Sequence, residues 1–99
     1  MERFNVYPNP SGRGYLLNVQ ADAMDHLATR VVIPLLPLDE LPNPATGLNP
    51  LFVIDEAQYI MVTQSMAAVP VKLLKRSVCS LSDRYDEIVG ALDLLLQGF

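Results

Sequence analysis

The side chains able to carry chemistry are few: one histidine, one cysteine and a scatter of acids. A nucleophilic site would need Ser, Cys or Thr with a base in reach. His26 is the sole histidine and stands beside Asp25 in the polar stretch "QADAMDHLAT", where it reads as a solvated loop side chain. Asp22 and Asp25, three apart, could form an acid–base pair, but turn and cap duties account for both. Asp55 and Glu56 fall between two apolar runs, where acids merely keep a hairpin tip soluble. Cys79 follows Lys75 and Arg76, cations that can lower a thiol pKa; a buried or half-buried structural thiol is the simpler role. No glycine pattern matches a phosphate loop, and no His, Cys and Asp set has metal-ligand spacing. Neither catalytic residues, nor a metal, nor a cofactor is therefore expected. The more unusual chemistry lies in the closing "LLLQGF", where Leu94, Leu95 and Leu96 look like core but Gln97, Gly98 and Phe99 follow immediately. Phe99 either folds back over Leu95 or Met24 to close the core, or serves a partner.

Composition limits what could position these groups. The 99 residues suit one domain, 1–99, and a chain of this size buries roughly two-thirds of the surface its unfolded form exposes. A hydrophobic fraction of 51% against 18% charged residues is more apolar material than so small a core readily hides, which favours homodimerisation. Seven basic and eleven acidic residues give a net charge of -4. Binding a phosphate backbone directly would need a basic groove that this balance does not supply. A single cysteine excludes an intrachain disulfide and fits a reducing compartment. The opening "MERFNVYPNP" has no apolar signal core, and no window approaches the roughly 18 apolar residues of a membrane span. A cytoplasmic protein is expected.

The elements follow from periodicity and punctuation. "FNVY" (Phe4 to Tyr7) alternates as a short strand stopped by Pro8 and Pro10, and "SGRG" is turn chemistry. "YLLNV" and "RVVIPLL" read as strands separated by a loop with a helical turn. The proline-rich Pro37 to Pro50 is the longest irregular piece, a functional loop or a covering flap. "LFVI" and "YIMVT" flank "DEAQ" as a hairpin, and "AAVPVKLL" is a further strand whose Pro70 requires an edge or a bulge. The period then changes from two to 3.6: Leu81, Tyr85, Ile88, Val89, Leu92, Leu95 and Leu96 mark one face of an amphipathic helix of about four turns. Ser80 or Ser82 is placed to cap it, and Asp83, Asp86 and Glu87 suit its positive end. The expected fold is mainly β, a small twisted antiparallel sheet or barrel with a C-terminal helix.

Three segments, "VQADAMDHLATRVVIPL" (Val19 to Leu35), "MAAVPVKLL" (Met66 to Leu74) and "LSDRYDEIVGALDLLLQGF" (Leu81 to Phe99), resemble the CcdB proteins, toxins of bacterial toxin–antitoxin modules that poison DNA gyrase. Length, the opening "FNVY" and the order of elements agree with them. The resemblance implies an SH3-like barrel of the CcdB and MazF type that associates as a two-fold dimer. It implies entry of that dimer between the two gyrase A subunits, where it blocks religation of cleaved DNA. Contacts would come from Gln97, Gly98 and Phe99, helped by Asp93 and Leu96 at the helix end and by Ala23 and Met24 in the loop after the second strand. Phe4 and Tyr7 would lie at the dimer face. A cognate CcdA-type antitoxin would wrap the dimer and strip it from gyrase, so that DNA is met only indirectly, through the antitoxin complex. No membrane role is implied.

The family's familiar ending is Trp-Gly-Ile, its tryptophan stacked on a gyrase arginine. Gln97 stands here at the tryptophan position and Phe99 at the isoleucine position. Loss of a good cation–π contact costs roughly 0.5–2 kcal/mol per tail. Arg13 is the only charge of the early turn. Three functions follow: a gyrase poison held by an antitoxin, a non-toxic homologue kept as an antitoxin-binding and operon-regulating partner, or an endoribonuclease on the same barrel. The acidic balance and the lack of an Arg, His and Ser cluster argue against the last.

Overall fold

The computed structural model describes residues 2–41 and 43–98. Seven strands form one antiparallel sheet: β1 (Asn5–Pro8), β2 (Tyr15–Asn18), β3 (Thr29–Pro37), β4 (Leu51–Ile54), β5 (Ala57–Met61), β6 (Ala67–Pro70) and β7 (Cys79–Ser80). The helix α1 (Tyr85–Gln97) follows. The strand order is β4-β5-β3-β2-β1-β7, with β6 also paired to β3. The sheet curls into a nearly closed barrel, and a cleft lined by Tyr15, Val53, Ile54, Asp55, Val78 and Cys79 lies between its end strands β4 and β7.

The nine-residue β3 is the hub of this sheet. One edge pairs with β2; the other pairs with β6 over Thr29 to Val32 and with β5 over Leu35 to Pro37. Pro34 lies where that second edge changes partner, so its missing N–H interrupts no ladder bond. Its carbonyl instead accepts from the Val62 N–H at 2.9 Å.

Alternation divides the buried side chains between two clusters. Val6, Leu17, Ile33 and Leu35 join Phe52, Met61, Ile88 and Ala91 in the main core beneath α1. Tyr7, Leu16 and Val32 point to the other face, where Leu74 and Val69 cover them. Strands β1 to β3 are thus covered on both faces, which explains their nearly continuous apolar sequence.

Several boundaries differ from the sequence expectation. The β4–β5 hairpin turns on Asp55 and Glu56 alone, with φ of 53° and 68°, the geometry of a two-residue type I′ loop, so β5 starts at Ala57 rather than Tyr59. "AAVPVKLL" is extended only to Pro70, where Val71 donates to the Ala28 carbonyl and a 3-10 turn begins. The short strand β7 had no periodic signal; β1 supplies its pairing, with Val6 opposite Cys79. Neither Ser80 nor Ser82 caps α1, since the chain enters it through a 3-10 turn over Ser82–Arg84 and the Ser80 hydroxyl is spent on Ser82.

The proline-rich segment is tied down by polar groups. The buried Asn49 accepts from the Ala45 N–H and donates to the Met61 carbonyl and to Gln64, while the buried Thr63 hydroxyl donates to the Leu48 carbonyl. Gly14, at φ 85°, brings its backbone against β3 so closely that a β-carbon there would lie 2.2 Å from the Leu35 oxygen.

Candidate functional site

Two groups of exposed side chains stand out, one at the end of α1 and one in the loop before β3. Ile88 and Ala91 anchor the helix in the core, leaving Leu96 67% exposed, with Gln97 and Gly98 exposed beyond it. Asp93 is half-buried. Gly98 takes a left-handed conformation, φ 82°, and donates its N–H to the Leu94 carbonyl, which ends the helix in the manner typical of glycine. The glycine between Gln97 and Phe99 therefore already has a fixed structural duty. Phe99 itself lies outside the described residues.

The loop Ala21 to Ala28 has no buried side chain, and it carries Ala23, Met24 and Leu27. Met24 is 47% and Leu27 43% exposed. Its order comes from polar groups at its two ends. The Asp22 carboxylate accepts from the Arg3 N–H at 2.9 Å. Gln20 donates to the Met24 carbonyl and accepts from the Val31 N–H. Arg30, 5% exposed, donates through its two terminal nitrogens to the carbonyls of Asp25, Leu27 and Thr29 and to the Asp25 carboxylate. These bonds run to Gln20, β3 and the first residues, not to α1, so they do not bring the loop and helix groups together.

Phe4 and Tyr7, expected at a dimer face, are each only 3% exposed within a single chain, Phe4 in the main core and Tyr7 in the second cluster. Phe4 also has φ 72°, rare for a bulky residue, held by bonds from its N–H to the Asn18 carbonyl and from the Leu81 N–H to its own carbonyl. Its ring meets Tyr85 edge-on at 5.7 Å, and Arg3 lies 4.7 Å from the ring centroid. Tyr85, half-exposed, is the member of this stack that reaches the surface.

The remaining reactive candidates do not converge. His26 is exposed, and Asp22 and Asp25 are engaged by different arginines, the first through a backbone N–H. Burial pushes the Cys79 thiol up from its ordinary value, the opposite of activation by Lys75 and Arg76. Burial likewise raises the Tyr15 hydroxyl, whose ring meets that of Tyr59 edge-on at 5.0 Å. The bond from Arg84 holds the Glu87 carboxyl below the usual range. Among the described residues no three His, Cys, Asp or Glu side chains gather as a metal site, and no helix is long and apolar enough to cross a membrane. A groove of about 420 Å³ separates the proline-rich loop from α1, lined by Gly47, Pro50, Asp86, Glu87, Gly90 and Leu94. Arg13 is paired with Asp39 and Glu40 on the surface.

Sequence reasoning missed Gln20, Leu27 and Arg30. Arg30 carried one usable signal: it precedes Val32 by two in a strand and so shares its inward register. Gln20 carried none, because a side chain's bond to a backbone carbonyl leaves no periodic trace, and Leu27 carried none, because a single apolar residue in a polar loop belongs to no period. The exposed groups lie on two surfaces, the end of α1 and the loop between β2 and β3. A barrel sheet closed by one helix, with these surfaces at the helix end and the β2–β3 loop, is matched over residues 3–98 by the family model for the CcdB protein, and the chain belongs to that family, whose members are the toxins of toxin–antitoxin modules.

Proposed function

We propose that this chain, as one domain spanning residues 1–99, is a cytoplasmic bacterial toxin that works as a homodimer, enters the gyrase A-subunit dimer and traps gyrase on cleaved DNA. It acts by binding and not as an enzyme, and a cognate CcdA-type antitoxin holds it in check and provides its only link to DNA. The observation that carries this reading is the exposed end of α1: Leu96 stands clear of the core, and Gly98 turns the chain away directly after Gln97. A two-fold dimer presents such an end twice to a two-fold target. The second tail then binds at a raised effective concentration. On α1 the exposed large apolar side chains are Tyr85, Leu94 and Leu96; helical spacing puts Tyr85 and Leu96 on one side and Leu94 on the opposite one, in the groove beside Gly47.

The test is a gyrase cleavage-trapping assay with the full chain, a chain lacking Gln97 to Phe99, and Phe99→Ala, each checked for an intact fold and for dimerisation by sedimentation. Truncation should abolish trapping. Phe99→Ala should weaken it by roughly ten- to a hundredfold per tail, since burying a Phe contributes about 1.5–3 kcal/mol. Trapping that survives truncation would overturn the tail mechanism, and a monomer at all concentrations would overturn the dimer. Gln97 in place of an indole favours a second reading, in which the chain is a non-toxic, antitoxin-binding regulator of its own operon. Harmless expression without antitoxin in a gyrase-sensitive bacterium would select it.

A further inference from the structure

We infer that Arg30 and Gln20 are positioning residues that hold the Ala21 to Ala28 loop as a preformed apolar knob, and that Leu27 stands with Met24 as a contact residue on it. The loop buries no side chain of its own, so hydrophobic packing cannot order it. Arg30 does so instead. Its guanidinium reaches the carbonyls of Asp25, Leu27 and Thr29 and the Asp25 carboxylate at 2.8 Å, while its Nε is buried with no hydrogen-bond partner among the described residues. A buried arginine with an unpartnered nitrogen is an expensive way to stabilise a barrel, where an apolar residue beside Val32 would serve. It is an effective way to fix three acceptors of one loop, and the first carbonyl of β3, at once. Gln20 adds a bridge from the Val31 N–H to the Met24 carbonyl. Inside this frame the loop closes on itself through bonds from Met24, Asp25 and Leu27 N–H groups to Ala21, Asp22 and Met24 carbonyls. The outcome is two large apolar side chains held outward on an ordered backbone. Fixing a contact loop beforehand removes its ordering entropy from the binding step.

The choice of partner rests on the gyrase reading above, and the experiment separates the two. Amide hydrogen exchange and gyrase trapping are measured for the unsubstituted chain, Arg30→Lys, Gln20→Ala and Leu27→Ala. Lysine keeps the charge but cannot span the four acceptors. Arg30→Lys and Gln20→Ala should speed exchange at the Met24, Asp25 and Leu27 amides by about tenfold or more while the Ile33 and Leu35 amides keep their protection. Both should weaken trapping by a similar factor. Leu27→Ala should weaken trapping with the loop amides unchanged. If Arg30→Lys fails to fold, Gln20→Ala carries both measurements. Unchanged loop exchange in these variants overturns the clamp, and full trapping by a loop whose exchange has risen overturns its positioning role. Full trapping by Leu27→Ala overturns the contact. Failure of the unsubstituted chain to trap gyrase overturns the gyrase reading and that contact together, and exchange alone then decides the clamp.

Discussion

At the scale of single residues, close approach and burial set the sharpest constraints. Gly14 takes φ 85°, and a β-carbon there would lie 2.2 Å from the Leu35 oxygen on β3. Gly14→Ala should therefore destabilise the chain by about 2–4 kcal/mol through backbone strain and a clash that β3 cannot relieve. Gly12, with open space around its Cα, is the matched control, and Gly12→Ala should fall within about 0.5 kcal/mol of the parent; urea denaturation of both checks the pair. Cys79 is governed by burial, which raises its thiol above the unfolded value. Its stabilising share is complete below the unfolded thiol pKa and is lost as pH rises through the folded one. Stability should fall across that alkaline window, and Cys79→Ala should remove that part of the slope. Alkylation at neutral pH should be slower for the folded chain than for the chain in denaturant.

Among the elements, the β4–β5 hairpin and α1 each carry a residue at odds with its conformation. Glu56 occupies φ 68° in a type I′ turn where Gly is favoured. Replacing Asp55-Glu56 by Asn-Gly should stabilise by about 0.5–1 kcal/mol and raise Tm by about 2–8 °C, as read by calorimetry. Two glycines of α1 and its cap should respond oppositely to alanine. Gly90 is helical, and a β-carbon added there would meet nothing within 4 Å, so Gly90→Ala should stabilise by about 0.8–1 kcal/mol. Gly98 terminates the helix at φ 82°, so Gly98→Ala should destabilise by about 1 kcal/mol although space is open there too. Thermal denaturation of the two variants distinguishes them by sign.

For the whole molecule, α1 and the barrel share one core through Ile88 and Ala91, both fully buried against residues of β1 to β5. Ile88→Ala should cost about 2–5 kcal/mol, a large part of the roughly 5–15 kcal/mol typical of a folded domain. Helix and barrel should be lost in one transition, seen as coincident far-ultraviolet circular dichroism and tyrosine fluorescence curves. Two separate transitions would show that α1 is merely docked. Arg84, from the turn that leads into α1, ties that end of the helix to the start of β4 by stacking 4.8 Å from the Phe52 ring and donating to the Leu51 carbonyl at 3.3 Å.

Local rules in the sequence were enough for the mainly β fold, the C-terminal helix, and strands at "YLLN", "LFVI" and the centre of "RVVIPLL", because apolar period and turn residues act within a few positions. The same rules could mark the end of α1 as chemically unusual. They could not show how deeply Phe4 and Tyr7 are buried within the single chain, since an aromatic in or beside a short strand reads the same at any depth. Nor could they find β7, whose two residues become a strand only because β1 offers them an edge. The 3-10 entry to α1 displaced the serine caps for a similar reason: the Leu81 bond to Phe4 fixes where the chain leaves the sheet. The loop carrying Met24 shows the division most clearly. Its polarity was legible, but the order imposed by Gln20 and Arg30 depends on side chains reaching carbonyls up to five residues away, a geometry that exists only once β2 and β3 have paired.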